Sequence, residues 1–260
     1  KNNEQIMSHI SFSELKNWVR CPYYHKLVHI DKLKGFVGNE YTAFGTAIHT
    51  VCEKKLLKED IDDERVFLDS FSDNIADLGD DIDVDSGLVD QMVGQGKAIL
   101  PEVEDALISY FGNDFEVFST EERIYEPMED LELKFKGFID AVIKTPDGKY
   151  HIVDWKTCSW GWNARKRADP MVTYQLTLYK NYFAKKHSID PKLIETHFAL
   201  LKRTAKKDRV EFFRVTSGPI KMANALKLLK KAVYNIEKKN TLKNRMSCKN
   251  CEFYRTKHCK

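Results

Sequence analysis

Apolar and polar positions alternate most clearly between Gly137 and Thr157. Two runs rich in Ile, Val and aromatic residues flank Pro146-Asp147-Gly148, which predicts a β-hairpin with its turn at that tripeptide. Side chains along a strand point alternately to opposite faces. Val153 and Trp155 are therefore expected in a core, with Asp154 and Lys156 on the other face, toward a cleft. Further strand patterns cover 115–126, 130–136, 195–203 and 210–216, and the first hairpin occupies 137–144 and 150–156.

Helical spacing fills the remainder. Ser11-Phe-Ser-Glu14 is a capping box that opens a short helix ending before Cys21-Pro22. A helix over Ala43–Lys58 places Gly45, His49, Cys52, Glu53 and Leu56 on one broad face, where Gly45 leaves room for another element to approach. Residues 65–78 predict a short helix. Residues 88–111 predict a longer one that Pro101 kinks or divides. Asp169-Pro170 is an N-cap followed by proline at the first helical position. That helix is expected to run to Lys186, with Gln175 and Tyr179 on one face. A Lys-rich amphipathic helix covers 218–239.

Charge divides the chain. Residues 59–85 contain twelve acids against the single base Arg65, a net of −11, so the overall +3 leaves +14 on the remainder. A basic body suits a polyanionic partner such as DNA. Segment 59–112 is expected to be a helical acidic insertion, either a solvated face or a fence at a nucleic-acid channel. No run is long enough to span a membrane and no secretory signal is visible, so a cytoplasmic protein is expected, in a bacterium or a phage-infected cell. No G-x-x-x-x-G-K-[ST] phosphate loop occurs, so any unwinding falls to a helicase or recombination partner.

Two stretches carry candidate chemistry besides the hairpin. Ser159–Arg167 sets Trp160 and Trp162 beside Arg165, Lys166 and Arg167. This is either a stacking and phosphate platform for single-stranded nucleic acid or a loop whose indoles tuck into the core. In the tail, Cys248-x2-Cys251 has chelating spacing and Cys259 can fold back as a third thiolate. Cys21 or His258 is the candidate fourth ligand, and the ion is Zn²⁺ or an iron–sulfur cluster. Such a site staples residue 21 to 248–259. Cys52 and Cys158 read as small buried hydrophobes.

The order of motifs carries a resemblance. It runs Ser11-x-Ser13-x7-Cys21-Pro22, Gly45-Thr-Ala-Ile-His49, Gly137-x-x-Asp140, Val153-Asp154-Trp-Lys156-Thr157, Gln175-x-x-x-Tyr179, Cys248-x2-Cys251-x7-Cys259. This resembles the RecB-like branch of the PD-(D/E)XK nuclease superfamily. More narrowly, it looks like the cluster-bearing Cas4, AddB nuclease and exonuclease V groups. The resemblance spans nearly the whole chain and is weakest over 59–115. The last two cysteines stand farther apart than in the pattern it resembles.

The resemblance implies one nuclease domain over 1–260 with a mixed α/β fold, a restriction-endonuclease-like central mixed sheet flanked by helices. It implies that His49, Asp140, Asp154 and the Trp155 carbonyl hold Mg²⁺ or Mn²⁺. Lys156 then serves the attacking water and the transition state, while Gln175 and Tyr179 orient the lysine or the DNA backbone. Cys21, Cys248, Cys251 and Cys259 then carry a [4Fe–4S] cluster. The implied activity is exonucleolytic cleavage of single-stranded or resected DNA in recombination, repair or phage DNA processing. The alternative is a Cas4-like DNA-processing subunit with little activity alone.

Overall fold

The computed structural model describes residues 7–260. In chain order the elements are β1 (His9–Ser11), α1 (Phe12–Arg20), α2 (Pro22–His25) with a π-helical turn over Lys26–Ile30, α3 (Glu40–Leu56), α4 (Asp63–Ala76), α5 (Ser86–Ile99) and α6 (Glu102–Phe111). There follow β2 (Glu116–Pro127), β3 (Lys134–Lys144), β4 (Tyr150–Cys158), α7 (Ala164–Ala168), α8 (Pro170–His187), β5 (Ile194–Lys202), β6 (Val210–Val215) and α9 (Pro219–Glu237).

The fold is a mixed sheet with helices on both faces, as expected. Strand order is β1-β3-β4-β5-β6, with β2 along the other edge of β3. The β3–β4 and β5–β6 pairs are antiparallel, and β4 runs parallel to β5. One apolar core joins α1, α8 and α9 to the sheet through Leu15, Leu176, Phe183, Leu229, Ile152 and Phe198. The other joins α3 to α6 through Phe44, Ile48, Phe67, Met92 and Trp155. Alternation along β4 is as predicted: Ile152 packs in the first core, Val153 and Trp155 in the second.

Local chemistry explains most boundaries. The Ser11 hydroxyl accepts from the Glu14 N–H at 3.2 Å and starts α1. Pro101 lies between α5 and α6, dividing the predicted long helix. The acidic segment folds as α4–α6, and its Phe67, Phe71, Met92, Ile99 and Val103 are fully or almost fully buried against α3 and the sheet.

Three expectations are corrected. α3 begins at Glu40, earlier than Ala43, because Asn39 and Thr42 form a reciprocal capping box. The predicted strands 130–136 and 137–144 are one strand, Lys134–Lys144, preceded by a turn. Residues 22–30, outside the predicted helices, are helical.

Candidate active site

The site forms where one edge of β3 opens. β2 occupies one side of β3 along its whole length. On the other side β4 pairs only from Lys144 to Ala141, and β1 only from Lys136 to Lys134. Gly137–Asp140 lies in the notch between them. Tyr179 of α8 enters it, and a Cβ built on Gly137 would stand 2.6 Å from Tyr179 Cε1, so only glycine fits beneath the ring. The Phe138 N–H and the Gln175 side-chain amide, the latter at 3.2 Å, both donate to the Tyr179 hydroxyl. Burial, then Asp154, holds that phenol above its ordinary pKa.

Asp140 and Asp154 come one step past the last β3–β4 pair, Ala141 with Val153. Where the ladder ends, the Trp155 N–H donates to Asp140 Oδ2 at 2.7 Å. Asp154 is 2% exposed. Its Oδ2 touches Lys156 Nζ at 2.7 Å but receives no well-aligned hydrogen bond. His49 reaches in from α3, with Nδ1 3.9 Å from Asp140 Oδ2, and the Trp155 backbone hydrogen-bonds the same ring. Gly45, one turn earlier, lies against Thr157, since its Cβ would stand 3.3 Å from Thr157 Oγ1. The room expected at that glycine is used to seat α3 on the end of β4.

Electrostatics mark the site as short of positive charge. Burial first, then Asp154, pushes the Asp140 carboxyl well above the ordinary range. Burial lowers the His49 imidazole to about 4, leaving it neutral and able to ligate at physiological pH. Burial opposes the charge on Lys156, but Asp154 and Asp140 outweigh it and keep the ammonium above its usual value. Two carboxylates, a neutral imidazole and a peptide carbonyl near one opening are donors that suit a hard divalent cation, although among the described residues the His49, Asp140 and Asp154 ligand atoms do not all lie within 4.8 Å of one another.

Two further carboxylates were not anticipated as part of the site. Glu53 of α3 accepts from Thr120 Oγ1 at 3.4 Å. Glu121 of β2 has φ +45° and turns toward Glu53 and Asp154. Burial first, then those two acids, raises its carboxyl. Glu53 is legible as the i+4 neighbour of His49. Glu121 is not, because its direction depends on a left-handed residue inside a strand. Lys16 of α1 lies close enough to Lys156, Asp169 and Lys166 to feel their charges. Burial, then Lys156, holds it below its ordinary value.

The Trp-basic loop is divided. Trp160 is 72% exposed. Trp162 packs its ring on Phe198 and Phe213, so of the two fates open to the indoles it takes the core. Lys166 Nζ lies 4.5 Å from the Trp162 ring centroid. Arg167 is bonded to Glu211 at 2.5 Å and to the Trp162 carbonyl at 2.9 Å, while Arg165 is exposed.

The tail meets the N-terminal region. Cys21, Cys248, Cys251 and Cys259 line one cavity of about 260 Å³. Around it, Arg20 donates to the Asn250 carbonyl at 2.6 Å, Asn244 to the Arg20 carbonyl at 2.9 Å, and Tyr23 to the His258 carbonyl at 3.0 Å. The Asn244 N–H points at Cys21 Sγ, 3.3 Å away. Among the described residues, no three of these sulfurs lie within 4.8 Å of one another. Cys52 is fully buried, whereas Cys158 is only partly so.

A mixed sheet between helical layers, with an aspartate on one strand facing Asp-x-Lys on the next, defines a restriction-endonuclease-like nuclease. The model of the PD-(D/E)XK nuclease superfamily matches residues 9–256, and the chain belongs to that superfamily. A crystal structure of a candidate exonuclease from Eubacterium rectale is similar in fold, with TM-score 0.62 and 12% identity over 96% of this chain and 89% of that one. The solved structure of SSO0001 aligns with TM-score 0.43 and 16% identity over 97% of this chain and 86% of that one. No curated protein matches significantly. Nucleases of this superfamily use divalent metals. No helix among the described residues is long and apolar enough to cross a membrane.

Proposed function

We propose that the chain is a divalent-metal-dependent DNA exonuclease acting on single strands or free ends, in recombination, repair or phage DNA processing. The observation that carries this reading is the meeting of His49, Asp140, Asp154 and Lys156 at one opening of the sheet. The residues suit Mg²⁺ or Mn²⁺. Asp154 Oδ2 is buried with the Lys156 ammonium 2.7 Å away, and the raised Asp140 carboxyl is what a second buried acid does beside it without a further cation. The imidazole favours Mn²⁺ somewhat.

In this reading His49, Asp140, Asp154 and the Trp155 carbonyl hold the ion. When bound, a divalent cation polarises the phosphoryl oxygens and acidifies water. Lys156 places a fixed positive charge where negative charge develops on the phosphodiester. Asp154 holds that ammonium in place, and Gln175 positions Tyr179 in the notch beside it. Lys16, Arg165 and Lys166 offer phosphate contacts, and the exposed Trp160 offers a base-stacking face. Trp162 and Arg167 position this loop, since their own surfaces are engaged.

In this reading the four cysteines hold a [4Fe–4S] cluster, as the motif resemblance implies, with Zn²⁺ as the alternative. A tetrahedral zinc thiolate needs sulfurs about 3.8 Å apart, whereas a cubane spreads its four thiolates more widely. The four thiols line one cavity, which suits one shared metal centre of either kind. Such a cluster ties residue 21 to 248–259 and belongs to the Cas4, AddB and exonuclease V branch.

The test is a time course on 5′- and 3′-end-labelled single- and double-stranded DNA with Mg²⁺ or Mn²⁺. Labelled single strands are expected to shorten from an end, with no cutting in EDTA. A pure, cluster-loaded chain that cuts nothing overturns the stand-alone enzyme and leaves a DNA-processing subunit that works with a helicase or a larger complex.

A further inference from the structure

A second set of ligand atoms converges toward the start of β4. His151 lies near that start, Glu195 and His197 lie on β5, and the parallel register pairs His151 with Glu195 and Val153 with His197. Val153, Trp155, Ala199 and Leu201 share the core under α3–α6, so strand alternation sends His151, Glu195 and His197 to that same face. Phe111 of α6 packs on both imidazoles. His151 Nδ1 is 2.9 Å from His197 Nε2, and Glu195 Oε2 is 3.7 and 4.0 Å from those nitrogens. Tetrahedral Zn²⁺ with bonds of about 2.0–2.1 Å spaces its ligands about 3.3–3.4 Å apart. The three observed edges straddle that value.

We propose that His151, His197 and Glu195 form a zinc site, separate from the Asp140–Asp154 centre, with an open fourth position facing the cavity beside Tyr110 and Arg214.

The outer contacts are those of an oriented ligand set. His151 Nε2 lies 2.9 Å from Thr145 Oγ1, and His197 Nδ1 lies 3.0 Å from Tyr110 Oη. In this structure the two inner nitrogens share a hydrogen bond; zinc would replace it, the shared proton moving to the outer nitrogen of the same ring, so that both outer nitrogens donate while both inner nitrogens face the ion. Lys149 and Arg214 take Glu195 Oε1 at 3.1 and 3.6 Å, which leaves Oε2 turned toward the rings. Burial keeps both imidazoles neutral, as ligation requires. Nitrogen donors favour zinc over magnesium. A carboxylate between two neutral rings disfavours phosphate, despite Lys149, Arg214 and an adjoining cavity of about 420 Å³. Zinc here clamps β4 to β5 three residues before Asp154, about 10 Å along the strand.

The test is titration of the full chain, with its cysteine site already occupied and carrying Asp154→Ala to silence the carboxylate centre, with Co²⁺ and then Zn²⁺. One equivalent of Co²⁺ is expected with weak visible bands and no thiolate-to-metal absorption, and Zn²⁺ should displace it. His197→Gln should abolish that equivalent, and Glu195→Gln should weaken it about tenfold or more. Zn²⁺ should also raise the melting midpoint of the parent but not that of His197→Gln. If circular dichroism shows His197→Gln misfolded, Glu195→Gln decides alone. The proposal falls if the parent binds Co²⁺ only through thiolates, or if the folded variants keep its stoichiometry and affinity.

Discussion

Asp140→Asn is expected to make the metal-free protein more stable while ending its activity. Asp140 and Asp154 lie side by side just past the last β3–β4 pair. Side chains opposite one another on neighbouring strands stand about 5 Å apart. Two unit charges at that distance repel by about 3 kcal/mol at an effective dielectric near 20. The Lys156 ammonium, 2.7 Å from Asp154, offsets part of this, while burial of Asp140 adds to it. Asparagine keeps an oxygen for the Trp155 N–H, so the backbone contact survives. The net gain in EDTA at neutral pH is about 1–3 kcal/mol after that offset, with about 2–4 °C in Tm for each kcal/mol in a chain of this size. The sign with pH follows from the raised Asp140 carboxyl. The wild type holds a proton there that the unfolded chain has lost, so its stability falls as pH climbs from 3.8 through the folded value. The variant lacks that fall. Mn²⁺ should then stabilise the wild type and not the variant. Urea unfolding followed by circular dichroism, with EDTA and with Mn²⁺, measures all of this. A variant no more stable than wild type in EDTA refutes the reasoning, because Asp140 would then be a compensated charge.

Other perturbations separate the parts of the account. Lys156→Ala should abolish cutting with little change in DNA affinity, measured by nuclease assay and fluorescence anisotropy; normal turnover would remove Lys156 from the chemistry. Gly137→Ala should cost about 1–3 kcal/mol, because its methyl meets the Tyr179 ring, and should lower activity as that ring moves; unchanged melting would mean that the notch is loose. Trp160→Ala should weaken single-strand binding by roughly 1–3 kcal/mol if its exposed ring stacks on a base, with duplex affinity as the control. In metal-free buffer, His197 contributes a loss of stability as pH drops from 6.5 toward about 3, because the unfolded chain gains a proton that the buried ring refuses; this is opposite in sign to the Asp140 contribution, so it is read as the difference between wild type and His197→Gln. His197→Gln should flatten that slope.

What could be read from the sequence is what depends on near neighbours along the chain. Alternation around Asp154 and Lys156 sets the faces of β4, and the Pro146-Asp147-Gly148 turn sets its pairing with β3. Gly45, one turn from His49, marks where α3 meets Thr157. Contacts that depend on distant partners were not legible. β1 is three residues long and pairs with Lys134–Lys136, far along the chain, so no periodicity announces it. Gly137 reads as a strand break, yet it continues β3 and makes room for a ring on another helix. Glu121 enters the site only through its left-handed backbone. The indoles of Trp160 and Trp162 look alike in sequence, and only the position of Phe198 and Phe213 tells them apart.

The most direct measurement is a crystal structure of the protein soaked with Mn²⁺, read at the manganese edge. A single anomalous peak within bonding distance of His49 Nδ1, Asp140, Asp154 and the Trp155 carbonyl, with Lys156 alongside, is the predicted result. Density in which those side chains stand apart, or a peak that none of them touches, would contradict it.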